Sequence, residues 1–318
     1  FGFDVIGELH QGPGWLPRTD DKYQHPISFD TFKALNSAHV RSRLQHLRPD
    51  PHWQSMLDEL LQEKAKGRLE GPFSSPAHWP VQMVGIQDHP LQPLDSDQLF
   101  AAMSFSVEQV DKVRRIEDWS ASFHNQTIQV SDVPTHHSIQ HFIASAQFCH
   151  KAGFTSIAWG HDLNAAYRQL AVRDPTLCHV VMSLPQGHTL WRHNALSFGS
   201  TAAVWSFNRL ADMLVFLARK LLLCPAYHYV DDFSSIEPVV TATSGFESFA
   251  DLFALLGLHM KEKKAQPPAP SQRMLGVFIQ ITNAGVQLTP CPDRVKKIIQ
   301  MLDHALETGQ LSPSVAQK

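Results

Sequence analysis

Residues 225–236 read Pro225-Ala226-Tyr227-His228-Tyr229-Val230-Asp231-Asp232-Phe233-Ser234-Ser235-Ile236, two short β-prone runs that meet at a pair of adjacent aspartates. The pattern predicts strands over 225–230 and 233–236, with the aspartates at the tip between them. Two neighbouring carboxylates repel unless a cation lies between or beside them. Magnesium is a hard cation that takes a few carboxylate oxygens together with phosphate oxygens, and a hairpin tip presenting Asp231 and Asp232 suits it. A solvated surface turn is the plain alternative, against which Tyr227, Tyr229 and Phe233 imply a packed hairpin.

Upstream, Thr155 to Trp159 is another β-prone run, leading into His161-Asp162-Leu163-Asn164-Ala165-Ala166-Tyr167. Asp162 can face the Asp231-Asp232 turn from a neighbouring strand, or it can cap a helix. In the first case three carboxylates could hold two metal ions about 4 Å apart, the clamp used for in-line phosphoryl transfer.

Periodicity organises the chain on either side. Trp53, Met56, Leu57, Leu60 and Leu61 recur at helical spacing and predict a helix ending near Gly67 or Gly71. Helices are also expected over 137–151, 201–223 and 246–256, and from Pro292 to Thr308. Strands are expected over 178–184 and 189–196, joined through Pro185-Gln186-Gly187, and over 274–282 and 286–288, joined across Asn283-Ala284-Gly285. Residues 72–93 hold five prolines and read as extended connecting chain. Residues 1–50 read as an irregular N-terminal extension. Helices alternating with antiparallel hairpins predict an α+β fold and not a doubly wound parallel sheet.

Composition narrows the function classes. The 318 residues are 43% hydrophobic and 18% charged, enough for a full core. A formal net charge of −3 supplies no global field for nucleic acid. A polynucleotide would have to be met by local clusters: Lys112/Arg114/Arg115, Lys261/Lys263/Lys264 and Arg294/Lys296/Lys297. Cys149, Cys178, Cys224 and Cys291 are scattered without a C-x-x-C pair, which argues for free thiols and against a disulfide framework or zinc knuckle. No apolar run approaches the ~20 residues of a membrane span. The expectation is therefore an intracellular protein, in cytoplasm or nucleus, with no membrane partner. Because the chain starts at Phe1 and not Met, it reads as an excised piece. His136-His137 and His188 with His193 read as surface or hairpin residues, not metal ligands.

From about Trp53 to the C-terminus, the motifs resemble, in order, those of reverse transcriptases, and the local wording is most like that of retroelements carrying a tyrosine recombinase. Lys112-Val113-Arg114-Arg115-Ile116-Glu117-Asp118-Trp119-Ser120, followed by Asn125, resembles the fingers motif. Asp162 to Tyr167 is similar to motif A, and Phe198-Gly199-Ser200-Thr201-Ala202-Ala203 with Phe207 and Arg209 to motif B. Tyr229 to Asp232 resembles motif C, Gly257 with Lys264 motif D, and Leu275-Gly276 the hairpin that grips the primer. Each motif is short, but the ordered set is specific.

The resemblance implies an RNA-directed DNA polymerase of right-hand architecture. Fingers and palm would span 51–290, with the palm core at about 155–169 and 198–288, and a truncated thumb would start over 291–318. Asp162 and Asp231 would bind two Mg2+ ions, with Mn2+ able to substitute, while Asp232 assists and the Leu163 carbonyl completes a coordination sphere. Arg114, a guanidinium fork suited to phosphate, and Lys112 would contact the incoming deoxynucleoside triphosphate. Tyr167 would be the steric gate against a ribose 2′-hydroxyl, a core tyrosine being the alternative. Gly199 would let the backbone approach the nucleotide. Lys264 would give a proton to pyrophosphate or be a solvated lysine. Tyr229, Leu275 and Gly276 would hold the primer on an RNA or DNA template.

Leu184-Pro185-Gln186-Gly187 matches the retroviral spelling of motif B more closely, but the helix that must follow starts after Gly199, so Gln186-Gly187 is read as a hairpin turn. Ser197, Val204 and Glu117 depart from the family's usual residues, and no second lysine precedes Arg114 at the expected spacing. None of these departures removes a metal ligand. They leave open a second reading, a catalytically silent nucleic-acid-binding remnant of the same fold.

Overall fold

The first helix begins where the proline- and glycine-rich opening stretch ends. In the computed structural model, which describes residues 1–109, 112–282 and 285–310, the strand β1 (Leu16–Pro17) precedes α1 (Phe29–His46). The Ser28 side chain accepts the Thr31 amide and caps α1, with Asp30 in the first turn favouring the helix dipole. An irregular extension over 1–50 is therefore wrong for this stretch. Its buried stripe is Phe32, Asn36, Val40 and Leu44, and the polar Asn36 interrupts the apolar pattern. The Asn36 amide donates to the Ala101 and Ser122 carbonyls and accepts the Ala101 N–H, so it is buried at little cost.

The expected helix follows as α2 (Trp53–Ala65), then β2 (Leu69–Phe73), β3 (Ala101–Gln109), β4 (Lys112–Glu117) and β5 (Asp132–Val133). Next come α3 (Ile139–Lys151), β6 (Ser156–Asp162), β7 (His179–Leu184), β8 (Gly187–His193), α4 (Thr201–Leu221), β9 (Ala226–Tyr229) and β10 (Asp232–Pro238). The chain continues through α5 (Val239–Leu255), β11 (Gln266–Ala269), β12 (Ser271–Met274), β13 (Val277–Thr282), β14 (Gly285–Pro290) and α6 (Pro292–Thr308). The fold is α+β, with antiparallel pairing throughout the named strands except between β3 and β7. The chain forms two compact units, Phe1–Thr135 with Ala165–Leu210, and His136–Asn164 with Ala211–Lys318. These divisions do not coincide with the boundaries expected at 50/51 and 290/291.

In the first unit, β2-β8-β7-β3-β4 form a five-stranded sheet and β1 pairs with β5. β7 and β8 close with Leu184 opposite Gly187, so Pro185-Gln186 is a hairpin turn, and α4 starts after Gly199. Val40, Phe73, Trp79, Met103, Val181 and Leu190 pack in one core cluster, and Leu9, Trp15, Ile128, Val130, Ala202 and Trp205 in another. This unit also buries charge. Arg168 Nε donates to Glu63 Oε2 at 2.9 Å, and its Nη1 lies 2.7 Å from His193 Nδ1. His193 Nε2 lies 3.2 Å from Glu117 Oε1, and Glu117 binds Arg115. Burial, then the Arg168 and Arg115 charges, hold His193 well below its usual pKa, so it bridges the network as a neutral ring. Arg115 is thus buried and paired rather than part of a cluster facing a template, and His193 is a core residue of its strand.

In the second unit, β11-β6-β10-β9 form one antiparallel sheet and β12-β13-β14 another. Phe142, Ala146, Ala158, Ile236, Met274 and Ile279 pack together. Phe249 of α5 packs against Trp159 and Phe233, with ring centroids at 5.3 and 5.6 Å. α5 starts at Val239 and not near Phe246, because packing overrides the weak helix propensity of the β-branched residues after Pro238. The strand expected over 274–282 breaks at Leu275-Gly276, which turns β12 into β13. Asn283 and Ala284 of the next expected turn lie outside the described residues, as does the end of the expected thumb segment. All four cysteines are buried and unpaired. Among the described residues no helix is long and apolar enough to cross a membrane.

Candidate active site

The site starts from the β9–β10 turn. Tyr229 pairs with Asp232, which leaves Val230 and Asp231 as a two-residue connection. Such turns favour Asn or Gly, yet Val230 sits at φ +54°, a left-handed conformation that a β-branched residue rarely adopts. Strain of this kind costs about 1–3 kcal/mol and persists only where surrounding structure enforces it. The enforcement is visible. Buried His228 holds Nε2 at 2.8 Å from Asp212 Oδ1 and Nδ1 at 3.4 Å from the Val230 carbonyl. The Leu163 amide donates to the Asp231 carbonyl at 3.4 Å.

β6 runs antiparallel to β10 with Asp162 directly opposite Asp232 and His161 opposite Phe233. Asp162 therefore ends a strand facing the aspartate turn, and it does not cap a helix. Its carbonyl accepts the Lys261 amide at 2.8 Å, and the Asn164 amide donates to the His259 carbonyl at 2.9 Å. This pairing brings Lys264 Nζ to 2.6 Å from Asp162 Oδ2. The hydrogen bond to Asp162 is the main reason the Lys264 pKa is raised, with the charges of Asp162, Asp232 and Asp231 adding to it. Asp232 is pushed up to about 6 by burial, then by the charges of Asp231 and Asp162. Its own surface is exposed, so the two neighbouring carboxylates are the firmer cause.

A cleft of about 850 Å³ opens here, lined by Asp162, Asp232, Lys264, Tyr229, Leu275 and Gly276. Of the expected metal-site residues, Asp162 and Asp232 thus share one cavity of the second unit with the expected primer residues, and Asp231 and Leu163 do not line it. Leu163 is buried beside it and Asp231 acts on it through its charge. Gly276 adopts φ +77°, and the space a side chain would need is filled by the Arg294 guanidinium, whose Nη1 donates to the Leu275 carbonyl at 3.2 Å. The Tyr229 ring leans on His136 at 4.9 Å. Arg273 also lines the cleft and was not anticipated. The available signal was its position, two residues before Leu275-Gly276.

The nucleotide residues expected around motifs A and B lie in the first unit. Tyr167 is on a short 3-10 turn, Ala166–Gln169, with its ring 5.5 Å from Phe198 and 5.2 Å from Phe207. The Arg114 guanidinium stands over the same Phe198 ring at 5.6 Å. Gly199 adopts φ +84°, and a Cβ there would come within 2.9 Å of the Glu117 carbonyl. The close approach that requires glycine is thus met inside the protein. Asn125 fixes the segment, donating to the Gly199 carbonyl at 3.0 Å and accepting the Thr201 amide at 2.9 Å as α4 begins. The side chain of Lys112 lies outside the described residues.

The donor set fits a hard divalent cation in type and charge. It is all oxygen, and its mutual repulsion already raises Asp232 and draws the Lys264 ammonium onto Asp162. Among the described residues no three His, Cys, Asp or Glu side chains are gathered around one ion position. An α+β protein with a carboxylate–ammonium cleft at a strained hairpin turn is what the fold and the site define. No protein-family model matches the chain, and no curated protein matches it.

Proposed function

We propose that the protein is a template-directed nucleic-acid polymerase of the reverse-transcriptase kind, joining deoxynucleoside triphosphates to a primer held on an RNA or DNA template. The observation that carries this reading is the register that sets Asp162 opposite Asp232 at a strained Val230-Asp231 turn, with Lys264 on Asp162. Like charges forced together in a cleft of this size have a ready use in binding cations and phosphates. In this reading the second unit carries the palm and, with α6, the start of the thumb, and the first unit carries the fingers.

Asp162, Asp231 and Asp232 would hold Mg2+ or Mn2+, which when bound would acidify the attacking hydroxyl and offset charge on the phosphate. Lys264 Nζ, an ammonium in the same cleft, would give its proton to the departing pyrophosphate. Arg273 and Arg294 would meet the primer backbone beside Tyr229 and the Leu275-Gly276 turn. Arg114, Lys112 and Tyr167 are assigned to the incoming nucleotide, with the Tyr167 ring setting the preference for deoxyribose, while Gly199 serves the packing on Glu117.

Primer extension on poly(rA)/oligo(dT) with magnesium tests the proposal. The wild-type chain should extend the primer, and Asp231→Asn should abolish extension while circular dichroism and template binding stay unchanged. Extension near the wild-type rate in Asp231→Asn would refute the site. Template binding without any extension in the wild type would leave the silent remnant instead.

A further inference from the structure

The end of β10 remote from Asp232 carries a second carboxylate in a different setting. Glu237 is buried; its Oε1 accepts the Trp159 indole N–H at 2.6 Å, and its Oε2 accepts the Thr241 hydroxyl at 3.0 Å. Cys224 Sγ lies 4.0 Å from Oε1. Burial, then the Glu237 charge, pushes the Cys224 thiol up to about 12, so the thiol stays neutral beside it. Among the described residues no Lys, Arg or His side chain pairs with Glu237. A buried carboxylate without a cation is costly. It can accept about four hydrogen bonds, so Glu237 retains capacity for another donor.

Glu237 lines a cleft of about 880 Å³ that lies wholly within the second unit and shares no lining residue with the catalytic cleft. The walls are largely apolar, formed by Phe148, Phe154, Leu222, Leu223, Tyr227 and Ile236. Phe148 and Leu223 are 74% and 85% exposed, a concentration of uncovered apolar surface that marks binding sites. The volume falls in the range of small-molecule pockets, whose usual makeup is apolar walls with a few placed polar groups. Gly245 of α5 completes the arrangement, because a side chain there would run into the Glu237 carboxylate.

We propose that this cleft binds an apolar organic cation, an amine on an aromatic or aliphatic body, whose ammonium is taken by Glu237. The apolar body covers the exposed walls and the charge meets a buried carboxylate that has no paired cation among the described residues. The inference is independent of the polymerase reading. Glu237 stands five residues from Asp232 on the same strand, about 17 Å away at the usual rise, so the two sites can be tested separately.

Isothermal titration of the full chain with phenylbutylamine and with its neutral isostere phenylbutanol tests the proposal. The amine should bind, and the alcohol about tenfold more weakly, as for the loss of one charge-assisted hydrogen bond. Glu237→Gln should abolish the difference. Ser248→Trp, which places an indole in the cleft, should block the amine and covers the case in which Glu237→Gln fails to fold. Equal binding of amine and alcohol, no amine binding at millimolar concentration, or undiminished binding in Ser248→Trp would each overturn it.

Discussion

Replacing Asp162 by asparagine should lower the pKa of Asp232, and the structure sets the size of the change. The two residues are direct partners across β6 and β10, with Cβ atoms about 5 Å apart by the usual spacing of such pairs and side chains near enough to share a hydrogen bond. At an effective dielectric of ~40, suited to a partly solvated site, two charges at that distance repel by roughly 1.7 kcal/mol, or about one pKa unit. Asp231 supplies a second repulsion of the same order, and burial adds to both in the rise from 3.8 to about 6. Asp162→Asn removes one repulsion and releases the Lys264 ammonium, now 2.6 Å from Asp162, toward Asp232. The Asp232 midpoint should therefore fall by about one unit or more, read by carboxyl carbon NMR across a pH titration. Millimolar Mg2+ should depress it further in the wild type. The stability sign follows. Between 3.8 and about 6 the folded state holds the extra proton, so the contribution of Asp232 is fully present below 3.8 and lost as pH rises through about 6. A midpoint still near 6 in Asp162→Asn would mean that burial alone sets it and that the carboxylates are too weakly coupled to share a cation.

Three further outcomes concern the first unit. Arg168→Met removes the nearest of the cations on Glu63, leaving Arg68 at 3.4 Å and Lys66 at 3.7 Å, and strips His193 of its Arg168 contact, so it should cost about 1–3 kcal/mol in urea unfolding; an unchanged urea midpoint would remove the network's role. Buried His124 is held at about 3 against a usual 6.5 because burial disfavours its charged form. Its stabilising effect is present above 6.5 and lost as pH falls toward about 3, with a slope of up to ~1.4 kcal/mol per pH unit. The urea midpoint of His124→Gln should therefore change less with pH over that window, and parallel curves would contradict the assignment. Gly199→Ala meets both a φ of +84° and the Glu117 carbonyl, and should destabilise by roughly 1–3 kcal/mol; an unchanged midpoint would mean that the glycine is not needed for internal packing.

How far each feature was legible follows from where its determinants lie. The Tyr229-Val230-Asp231-Asp232 turn, its two strands and the Leu184–Gly187 hairpin could be read because the chemistry is local: apolar alternation, a turn, and charges in an unusual place. α1 was missed because its buried stripe passes through Asn36, whose burial depends on carbonyls of residues 101 and 122, far along the chain. β3 and β4 lacked a turn signal of the same clarity. The start of α5 was hidden by β-branched residues and by Gly245, which no helix propensity favours but which the Glu237 carboxylate requires. Arg115 was read as a surface cation because a run of basic residues is usually solvated, whereas its partner Glu117 and the chain Glu63–Arg168–His193 join residues up to 105 positions apart. Lys264 shows the boundary between the two cases. Its charge and its distance from Gly257 were visible, but its place on Asp162 depends on the backbone pairing of 259–261 with 162–164, which no local pattern encodes. The residues that could be read as a site are those whose sequence is locally costly, and the cost is met by contacts that only the folded chain supplies. The turn that accepts Val230 in a left-handed conformation is such a case: it sits beside Asp231 and across from the Asp162–Lys264 pair, and the contacts of His228 and Leu163 hold it in place.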